Sequence, residues 1–356
     1  MLVHIRLYAL AVLEALTQQL IRAEPLTREQ IVTAVSALTT EAAPVEHKAA
    51  FLAALAKKGE SPDEIAAFAG ELRERAIQPP LDAETRAHEL LDVCGTGGDH
   101  LGTFNISTTV AIVCAAAGVT VAKHGNRAIT SKSGSADVLE ALGIKIDLAP
   151  AEAARSLREH GFAFFFAPIY HPAFKHIAPA RKLCAERGQR TIFNILGPLL
   201  NPARPTAQLM GVPRRELCEP IAHVLQSLGL RRGMVVCGTV GTAQLDELST
   251  LGANTIAEFY QERGFAKSTL DPSQFPLQPA TIADLAGGDR EANAEIIRRI
   301  ISGQERGPKR DAVLLNAGAA LFVAGRVRSI GEGWELAAEL IDGSKAIAKL
   351  RALSLQ

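Results

Sequence analysis

Apolar residues recur at helical spacing through the first ninety residues of the chain and change to short β-branched runs after residue 90. Two capping boxes, Thr27 with Gln30 and Ser61 with Glu64, mark predicted helix starts in the first part. The helical spacing is clearest over residues 10–21, 31–38 and 51–55. The pattern therefore predicts an all-helical domain over residues 1–90.

After residue 90 the short runs alternate with alanine-rich stretches, which predicts a mainly parallel sheet covered by helices. The predicted strands cover residues 90–94, 119–122, 144–148, 163–167, 234–237, 255–260 and 313–315. The predicted helices include residues 106–117 and 136–142. Ligands of such sheets bind beyond the carboxyl ends of the strands. The predicted fold class is α/β, with a small all-helical domain and a larger domain built on a central, mainly parallel sheet.

Composition limits the classes of protein that the chain can belong to. With 356 residues, 47% of them hydrophobic and 21% charged, two globular domains are expected. Lysine plus arginine equals aspartate plus glutamate, at 38 each, which argues against a nucleic-acid partner. Five cysteines without a C-x-x-C pair are typical of a reducing compartment.

Two apolar stretches bear on a targeting or membrane role. Residues 7–13 are apolar, but Glu14 follows at once, so an amphipathic helix is expected there rather than a signal sequence. Residues 110–121 contain Gly118 and are interpreted as a buried helix that leads into a strand. We therefore expect a cytoplasmic protein with no membrane partner.

A glycine loop, Gly95-Thr96-Gly97-Gly98-Asp99, follows the first predicted strand. A turn without side chains lets backbone N–H groups approach a ligand, and such groups favour anions. The spacing matches neither the Walker P-loop nor G-x-G-x-x-G, so a plain tight turn is the alternative. Downstream, Asn105-Ile106-Ser107-Thr108 begins a predicted helix. Its polar residues can serve as N-caps, and its N-terminus can also seat a phosphate.

A second polar loop follows the predicted strand at residues 119–122. It begins Lys123-His124-Gly125-Asn126-Arg127 and continues through Ser135 to Asp137, with three cations, three serines and two glycines. A solvated surface loop is the alternative interpretation. Because both loops leave the same predicted end of the sheet, we favour a shared anion site.

Two further clusters carry chemistry. Asp246-Glu247, the acid pair, has apolar neighbours, and a carboxylate pair beside pyrophosphate would bind Mg²⁺. Adjacent acids on a surface would have no such role. Tyr170-His171 and Arg181 form the other cluster. The planar guanidinium of Arg181 can bind a substrate carboxylate, although a lone arginine on a helix is usually a surface residue.

Taken in order, these pieces resemble the anthranilate phosphoribosyltransferases, a family with the nucleoside-phosphorylase-like fold. The resemblance is carried by residues 95–99, 105–108, 123–127, 133–143, 193–203, 246–247 and 287–289. It implies transfer of the phosphoribosyl group of 5-phosphoribosyl 1-diphosphate (PRPP) to the amine of anthranilate, with release of pyrophosphate, in tryptophan biosynthesis. It also implies a homodimer and a discontinuous helical domain. That domain would join residues 1–90 to about 171–202, leaving residues 91–170 and 203–356 to the α/β domain.

The resemblance further implies roles for single residues. PRPP would be bound by Gly95, Gly98, Asp99, Thr103, Asn105, Ile106, Ser107, Thr108, Lys123, His124, Gly125, Asn126, Arg127, Ala128, Ile129, Thr130, Ser131 and Ser135. Anthranilate would be bound by Gly95, His124, Asn126, Tyr170, His171 and Arg181. Two Mg²⁺ ions per subunit would be held by Ser107, Asp246 and Glu247. Gly95 would lack a side chain so that the incoming amine can pass. The segments after Arg181 and before Asp246 are longer than the usual family pattern.

Two alternative functions are considered. A pyrimidine-nucleoside phosphorylase has a similar fold but would need no carboxylate-bound Mg²⁺, so the acid pair and the intact second loop argue against it. A non-catalytic nucleic-acid-binding relative would show a basic surplus, and the balanced charge argues against that.

Overall fold

The computed structural model describes residues 2–128, 132–260 and 264–355, which divide into two compact units. The helical unit comprises Met1–Ile77 and Tyr170–Leu200, and the α/β unit comprises Gln78–Ile169 and Asn201–Gln356.

The helices are α1 (Leu2–Ile21), α2 (Arg28–Leu38), α3 (Val45–Lys58), α4 (Pro62–Glu74), α5 (Ala83–Ala87), α6 (Ile106–Ala116), α7 (Ser135–Ala141), α8 (Pro150–His160), α9 (Ala167–Tyr170), α10 (Ala178–Glu186), α11 (Phe193–Leu196), α12 (Cys218–Ser227), α13 (Arg290–Ile301), α14 (Pro308–Val323), α15 (Ile330–Asp342) and α16 (Lys345–Leu353). The strands are β1 (Leu90–Gly95), β2 (Thr120–Gly125), β3 (Phe162–Phe166), β4 (Ala207–Gly211), β5 (Arg232–Val240), β6 (Ala243–Leu245), β7 (Asn254–Tyr260) and β8 (Gly264–Leu270).

Local sequence signals set the helix starts of the helical unit. Thr27 and Gln30 form a capping box at α2, and Ser61 and Glu64 form another at α4, as predicted. The predicted periodic stretches lie within α1, α2 and α3. The apolar faces of these helices and of α4 form a core in which Phe51 of α3 packs against Phe68 of α4 with ring centroids 6.4 Å apart.

The α/β unit is built on one sheet with the strand order β3-β2-β1-β4-β5-β7-β8, and β6 pairs with β5 outside this path. Strands β3, β2, β1, β4 and β5 run parallel, whereas β5, β7 and β8 pair antiparallel. The expected mainly parallel sheet is therefore confirmed. Parallel strands β1, β2 and β4 all end in glycine, and Gly95 is in register with Gly211.

Helices cover this sheet and bury a large apolar cluster. The cluster joins α6, α13, α14 and α15 to the strands, through side chains such as Val110, Leu315 and Ile341 that have no exposed surface. Burial of apolar area on this scale is the main favourable contribution to the fold. All five cysteines are buried and free.

Two strand predictions were wrong. Residues 313–315 lie in α14, which is buried around most of its circumference, so its apolar run lacks the polar face that identifies a helix. Residues 144–148 alternate buried and exposed side chains as a strand would, yet they pair with no strand of the described sheet.

The stretch 78–90, which was expected in the helical domain, belongs to the α/β unit instead. It holds the short helix α5, capped by Asp82, whose carboxylate accepts a hydrogen bond from the backbone N–H of Thr85 at 2.7 Å. Among the described residues, no helix is both long enough and apolar enough to cross a membrane.

Candidate active site

The acid pair Asp246-Glu247 lies directly across the carboxyl ends of three neighbouring strands of the α/β unit. A Cβ atom on Gly211 would overlap the backbone carbonyl of Asp246, and one on Gly95 would come within 2.5 Å of the Asp246 carboxylate. A Cβ atom on Gly238 would lie 2.7 Å from the carbonyl oxygen of Glu247. Glycine is therefore required at the end of β1, at the end of β4 and in β5 so that this segment can cross. For Gly95, this is a packing reason that the sequence did not indicate.

A β-hairpin delivers the acid pair to this position. Strands β5 and β6 pair antiparallel, with Val240 opposite Ala243, so the turn between them has two residues. Gly241 has a φ of 59°, the left-handed conformation that two-residue hairpin turns require. Asp246 follows β6 directly. The segment before Asp246, which was expected to be longer than the family pattern, forms this hairpin.

Asp246 is held in an environment that disfavours its charge. Burial raises its pKa well above the ordinary value, and the negative charges of Asp99 and Glu247 raise it further. Its carboxylate accepts a hydrogen bond from the backbone N–H of Gly97 at 2.5 Å, and its own N–H lies 3.5 Å from the Asp99 carboxylate. The glycine loop is thus bonded to the acid pair.

Glu247 is held beside the N-terminus of α6. Burial raises its pKa to about 7, against the attraction of the Lys123 ammonium, which lowers it. One carboxylate oxygen accepts a hydrogen bond from the backbone N–H of Ser107 at 3.2 Å. Lys123 is itself buried and donates a hydrogen bond to the carbonyl of Val93 at 2.6 Å. This position gives Glu247 access to the spare N–H groups of a helix N-terminus.

The donor set suits a cation that brings further oxygen ligands. Asp246, Glu247 and Asp99 place three negative groups together, and their repulsion favours a positive ion among them. Within the described part of the chain, no group of three or more His, Cys, Asp or Glu is placed so that it could hold a metal ion by itself. Mg²⁺ usually takes one or two carboxylates together with phosphate oxygens. The residues therefore fit Mg²⁺ bound together with a phosphate-bearing substrate.

The polar residues at the start of α6 are not side-chain caps. Asn105 occupies the N-cap position, but its side chain makes no cap hydrogen bond. It donates to the carbonyl of Ser133 at 3.2 Å and accepts from the amide of Asn293 at 2.9 Å. The capping alternative for Asn105 was wrong, because its side chain instead joins the glycine-loop side of the site to the second loop.

The second loop is closed by its own acidic residues. Asp137 accepts hydrogen bonds from the backbone N–H groups of Ala128 and Gly134, both at 2.9 Å. Arg127 forms ion pairs with Asp137 and Glu140, both at 3.0 Å, and its guanidinium lies over a phenylalanine ring. Arg127 is thus already paired in this structure. The predicted PRPP residues Ile129, Thr130 and Ser131 lie outside the described residues.

The remaining predicted PRPP residues all lie in the α/β unit, where they differ in exposure. Gly98 has a φ of 93° and is exposed, and Asn126 is exposed as well. The partly or largely buried positions are Thr103, Ile106, Thr108, His124, Gly125 and Ser135. Among the described residues, the buried hydroxyls of Thr96 and Thr108 have no hydrogen-bond partner. Unsatisfied buried hydroxyls are uncommon in folded proteins and suit a ligand that accepts or donates a hydrogen bond.

The predicted anthranilate residues are divided between the two units. Gly95, His124 and Asn126 belong to the α/β unit, whereas Tyr170, His171 and Arg181 belong to the helical unit.

Within the helical unit, Arg181 and His171 belong to one aromatic stack. The guanidinium of Arg181 lies 5.2 Å from the centroid of Phe193, Phe193 packs edge-on against Phe174, and Phe174 stacks on His171. Burial lowers the pKa of His171 to about 4, so its imidazole is neutral at pH 7. Tyr170 is fully buried. The guanidinium of Arg181 is thus supported by the ring of Phe193.

Several residues of the site were missed by sequence reasoning. Besides Gly211 and Gly238, the structure places Asp92 in β1, where burial raises its pKa to about 6. Asp92 accepts a hydrogen bond from Asn201 at 2.9 Å, and the positive charge of Lys123 also acts on it. A signal was present, because a carboxylate in an apolar strand needs buried partners.

Comparison with known proteins identifies the family of the chain. A family described as "Glycosyl transferase family, a/b domain" matches residues 87–347, and one described as "Glycosyl transferase family, helical bundle domain" matches residues 14–76. Proteins named anthranilate phosphoribosyltransferase from Lacticaseibacillus casei and Petrotoga mobilis are 48% and 46% identical to this chain. The match covers 94% of this chain in both cases, with 95% of the first relative and 94% of the second.

Solved structures agree with these matches. The anthranilate phosphoribosyltransferase of Thermus thermophilus has a TM-score of 0.85 at 41% identity, covering 96% of this chain and 98% of its own. The enzyme from Saccharomyces cerevisiae in complex with PRPP and Mg has a TM-score of 0.85 at 26% identity, covering 96% of this chain and 97% of its own. The chain therefore belongs to the anthranilate phosphoribosyltransferase family of glycosyl transferases.

Proposed function

We propose that the chain transfers the phosphoribosyl group of PRPP to the amine of anthranilate and releases pyrophosphate, as a step of tryptophan biosynthesis. The observation that carries this proposal is the buried acid pair beside the glycine loop and the N-terminus of α6. Backbone N–H groups at this position can donate hydrogen bonds to the phosphates of a substrate, and the carboxylates can bind the cation that accompanies those phosphates. The family's shared name supplies the second substrate.

Departure of pyrophosphate from C1 of the ribose leaves negative charge on the leaving group and positive charge on the ring. The chain would meet the leaving group with the N–H groups of the glycine loop and of α6, which need no reorganisation during the reaction. The nucleophile is an aromatic amine that is already neutral at pH 7, so no strong general base is required. Positioning and electrostatics supply the acceleration, and we expect no covalent enzyme intermediate.

We propose two Mg²⁺ ions per subunit, and the yeast relative solved in complex with PRPP and Mg supports the use of Mg²⁺ without giving the number of ions. Ser107 and Glu247 would hold one ion, and Asp246 with Glu247 would hold the other. The ions would neutralise the developing charge on pyrophosphate. The predicted PRPP residues from Gly95 to Ser135 named above keep their proposed roles, with Lys123 acting from its buried position.

Anthranilate is proposed to be bound through its carboxylate by Arg181, because a guanidinium fork matches a carboxylate in two parallel hydrogen bonds. Gly95, His124, Asn126, Tyr170 and His171 would complete that part of the site. A relative from yeast has been solved with 4-fluoroanthranilate. The homodimer and the cytoplasmic location stay predictions.

The loss of anthranilate fluorescence in the presence of PRPP tests the proposed function. We expect the signal to fall with Mg²⁺ and to stay constant when the metal is chelated. Phosphorolysis of thymidine and uridine, measured with the same preparation, is expected to be absent. Absence of Mg²⁺-dependent fluorescence loss, or robust phosphorolysis, would contradict the assignment.

A further inference from the structure

The segment that carries the acid pair is not supported by a regular hydrogen-bond ladder. Strand β6 ends at Leu245 and β7 begins at Asn254, and residues 246–253 belong to neither a helix nor a strand. The like charges of Asp99, Asp246 and Glu247 repel one another. The glycines at the strand ends leave space for this segment, but they form no side-chain hydrogen bond that would fix it there. Another group must fix the backbone that bears these carboxylates.

Asn316 is one such group, beside Asn254, whose side-chain oxygen accepts a hydrogen bond from the backbone N–H of Ser249 at 2.6 Å. The side-chain oxygen of Asn316 accepts a hydrogen bond from the backbone N–H of Leu248 at 2.9 Å, and its Nδ2 donates to the carbonyl of Leu248 at 2.9 Å. Nδ2 also donates a hydrogen bond to the carbonyl of Ala312, one turn earlier in α14, at 2.9 Å. The side chain has no exposed surface. A buried amide with three hydrogen bonds has one orientation.

This clamp acts on Glu247 through the backbone. The N–H of Leu248 belongs to the peptide unit that joins Glu247 to Leu248, so Asn316 sets the plane of that peptide. The plane in turn sets the direction in which the Glu247 side chain leaves the backbone. Because α14 is packed into the core of the α/β unit, the clamp connects the carboxylate to a rigid element.

We propose that Asn316 is a positioning residue for the metal-holding carboxylates, chiefly Glu247, and thereby for the Mg²⁺ that accompanies PRPP. This inference rests on the proposed function. Asn316 itself touches neither substrate nor metal in this role. Loss of a residue that orients a metal ligand typically costs about 10- to 100-fold in metal affinity or activity.

The test uses two substitutions and a packing control. Asn316→Ala removes the whole clamp. Asn316→Ser adds no charge and keeps a hydroxyl that can bond the carbonyl of Ala312, but it is too short to reach Leu248. Leu321→Ala is the control, because it removes a fully buried side chain from the same helix. Each protein is assayed for turnover against Mg²⁺, PRPP and anthranilate, and for the rise in melting temperature caused by PRPP with and without Mg²⁺.

We expect both Asn316 variants to need about 10- to 100-fold more Mg²⁺ for half-maximal turnover. Their KM for anthranilate is expected to change less than about twofold, and the Mg²⁺-dependent part of the PRPP-induced rise in melting temperature should shrink. Leu321→Ala should lower the melting temperature of the free protein and leave the Mg²⁺ dependence unchanged.

A wild-type Mg²⁺ requirement in Asn316→Ala would overturn the inference. If that variant fails to fold, a wild-type requirement in Asn316→Ser would overturn it equally. Failure of the proposed function would be seen separately, since the wild-type protein itself would then show no Mg²⁺-dependent turnover.

Discussion

Buried charges are treated in opposite ways in the two units. In the helical unit, the Lys48 ammonium donates to the carbonyls of Leu38 and His176, each at 2.9 Å. Glu64 in the same unit pairs with Lys58 at 2.7 Å. In the α/β unit, by contrast, the buried acid pair faces further negative charge from Asp99.

The buried charges of the helical unit stabilise the fold, whereas the charges of the acid pair would be stabilised by binding a cation. Burying like charges together is costly even where backbone N–H groups bond them, so a chain that keeps these two carboxylates together is less stable than it could be. Perturbed acids of this kind cluster at functional sites, where the ligand supplies the missing partner. In the helical unit, the Arg181 guanidinium lies over an aromatic ring, whereas in the α/β unit the acid pair lies beside a further carboxylate. The predictions below test this contrast.

The largest effect is expected from Glu247→Gln. Loss of a metal-holding carboxylate should lower kcat/KM by roughly 100- to 1,000-fold, since the charge on pyrophosphate would be less well stabilised. The same change removes a buried negative charge and should raise the melting temperature of the metal-free protein. Turnover assays measure the fall in kcat/KM, and thermal denaturation measures the change in melting temperature. Glu295→Gln, at a side chain with 62% exposure, is the control and should change neither.

The next effect concerns the crossing of the strand ends. Gly211→Ala would place a methyl group on the backbone carbonyl of Asp246, so the acid-pair segment must shift. We expect turnover to fall about 100-fold and the free energy of unfolding to fall by about 1–3 kcal/mol, as for an overpacked core site. Gly197→Ala is the matched control, because an added Cβ there meets nothing within 4 Å. Equal stability and activity in the two variants would contradict the crossing.

Arg181→Ala should act on one substrate only. Losing a charge-assisted pair to the anthranilate carboxylate should raise the KM for anthranilate about 30-fold, which corresponds to about 2 kcal/mol. The KM for PRPP should stay within about twofold of wild type. Arg181→Lys should recover little, because an ammonium cannot form the two parallel hydrogen bonds. Equal damage to both substrates would mean that Arg181 only supports its stack.

The last effect is a pH dependence of stability in the helical unit, and it is absent at neutral pH because His171 is then neutral in both the folded and the unfolded chain. His171 is neutral when folded, with its pKa lowered to about 4 by burial, whereas the unfolded chain has an ordinary histidine pKa of about 6.5. The unfolded state therefore binds the proton first, and stability is lost as the pH falls from about 6.5 to 4, by up to about 3 kcal/mol. His171→Gln should flatten this part of the profile. His88→Gln, at an exposed position, should not.

Features that depend on neighbouring residues were predicted well from the sequence. The capping boxes at Thr27 and Ser61 were predicted because all their partners lie within one turn. The acid pair and the glycine loop were also visible as local patterns. Strand predictions failed where burial on all sides hid the helical period, as at residues 313–315.

Features that depend on distant partners could not be predicted. Nothing near Asn316 indicates that its amide binds a peptide 68 residues away, and Gly97 binds a carboxylate 149 residues away. Gly211 and Gly238 were overlooked for the same reason, since the need for glycine arises only from the segment that crosses them.

By itself, the sequence determined the helical and α/β regions, the family and the chemical types of the groups at the site. These follow from local hydrophobic period, capping and short motifs, which act over a few residues. The tertiary structure alone decided that the acid pair lies across the strand ends, that its charges face a further carboxylate, and that Arg127 is already neutralised. Those outcomes depend on which residues, far apart in the sequence, lie close together in the interior, where the dielectric constant is low. The order of residues along the chain does not give the distances between them.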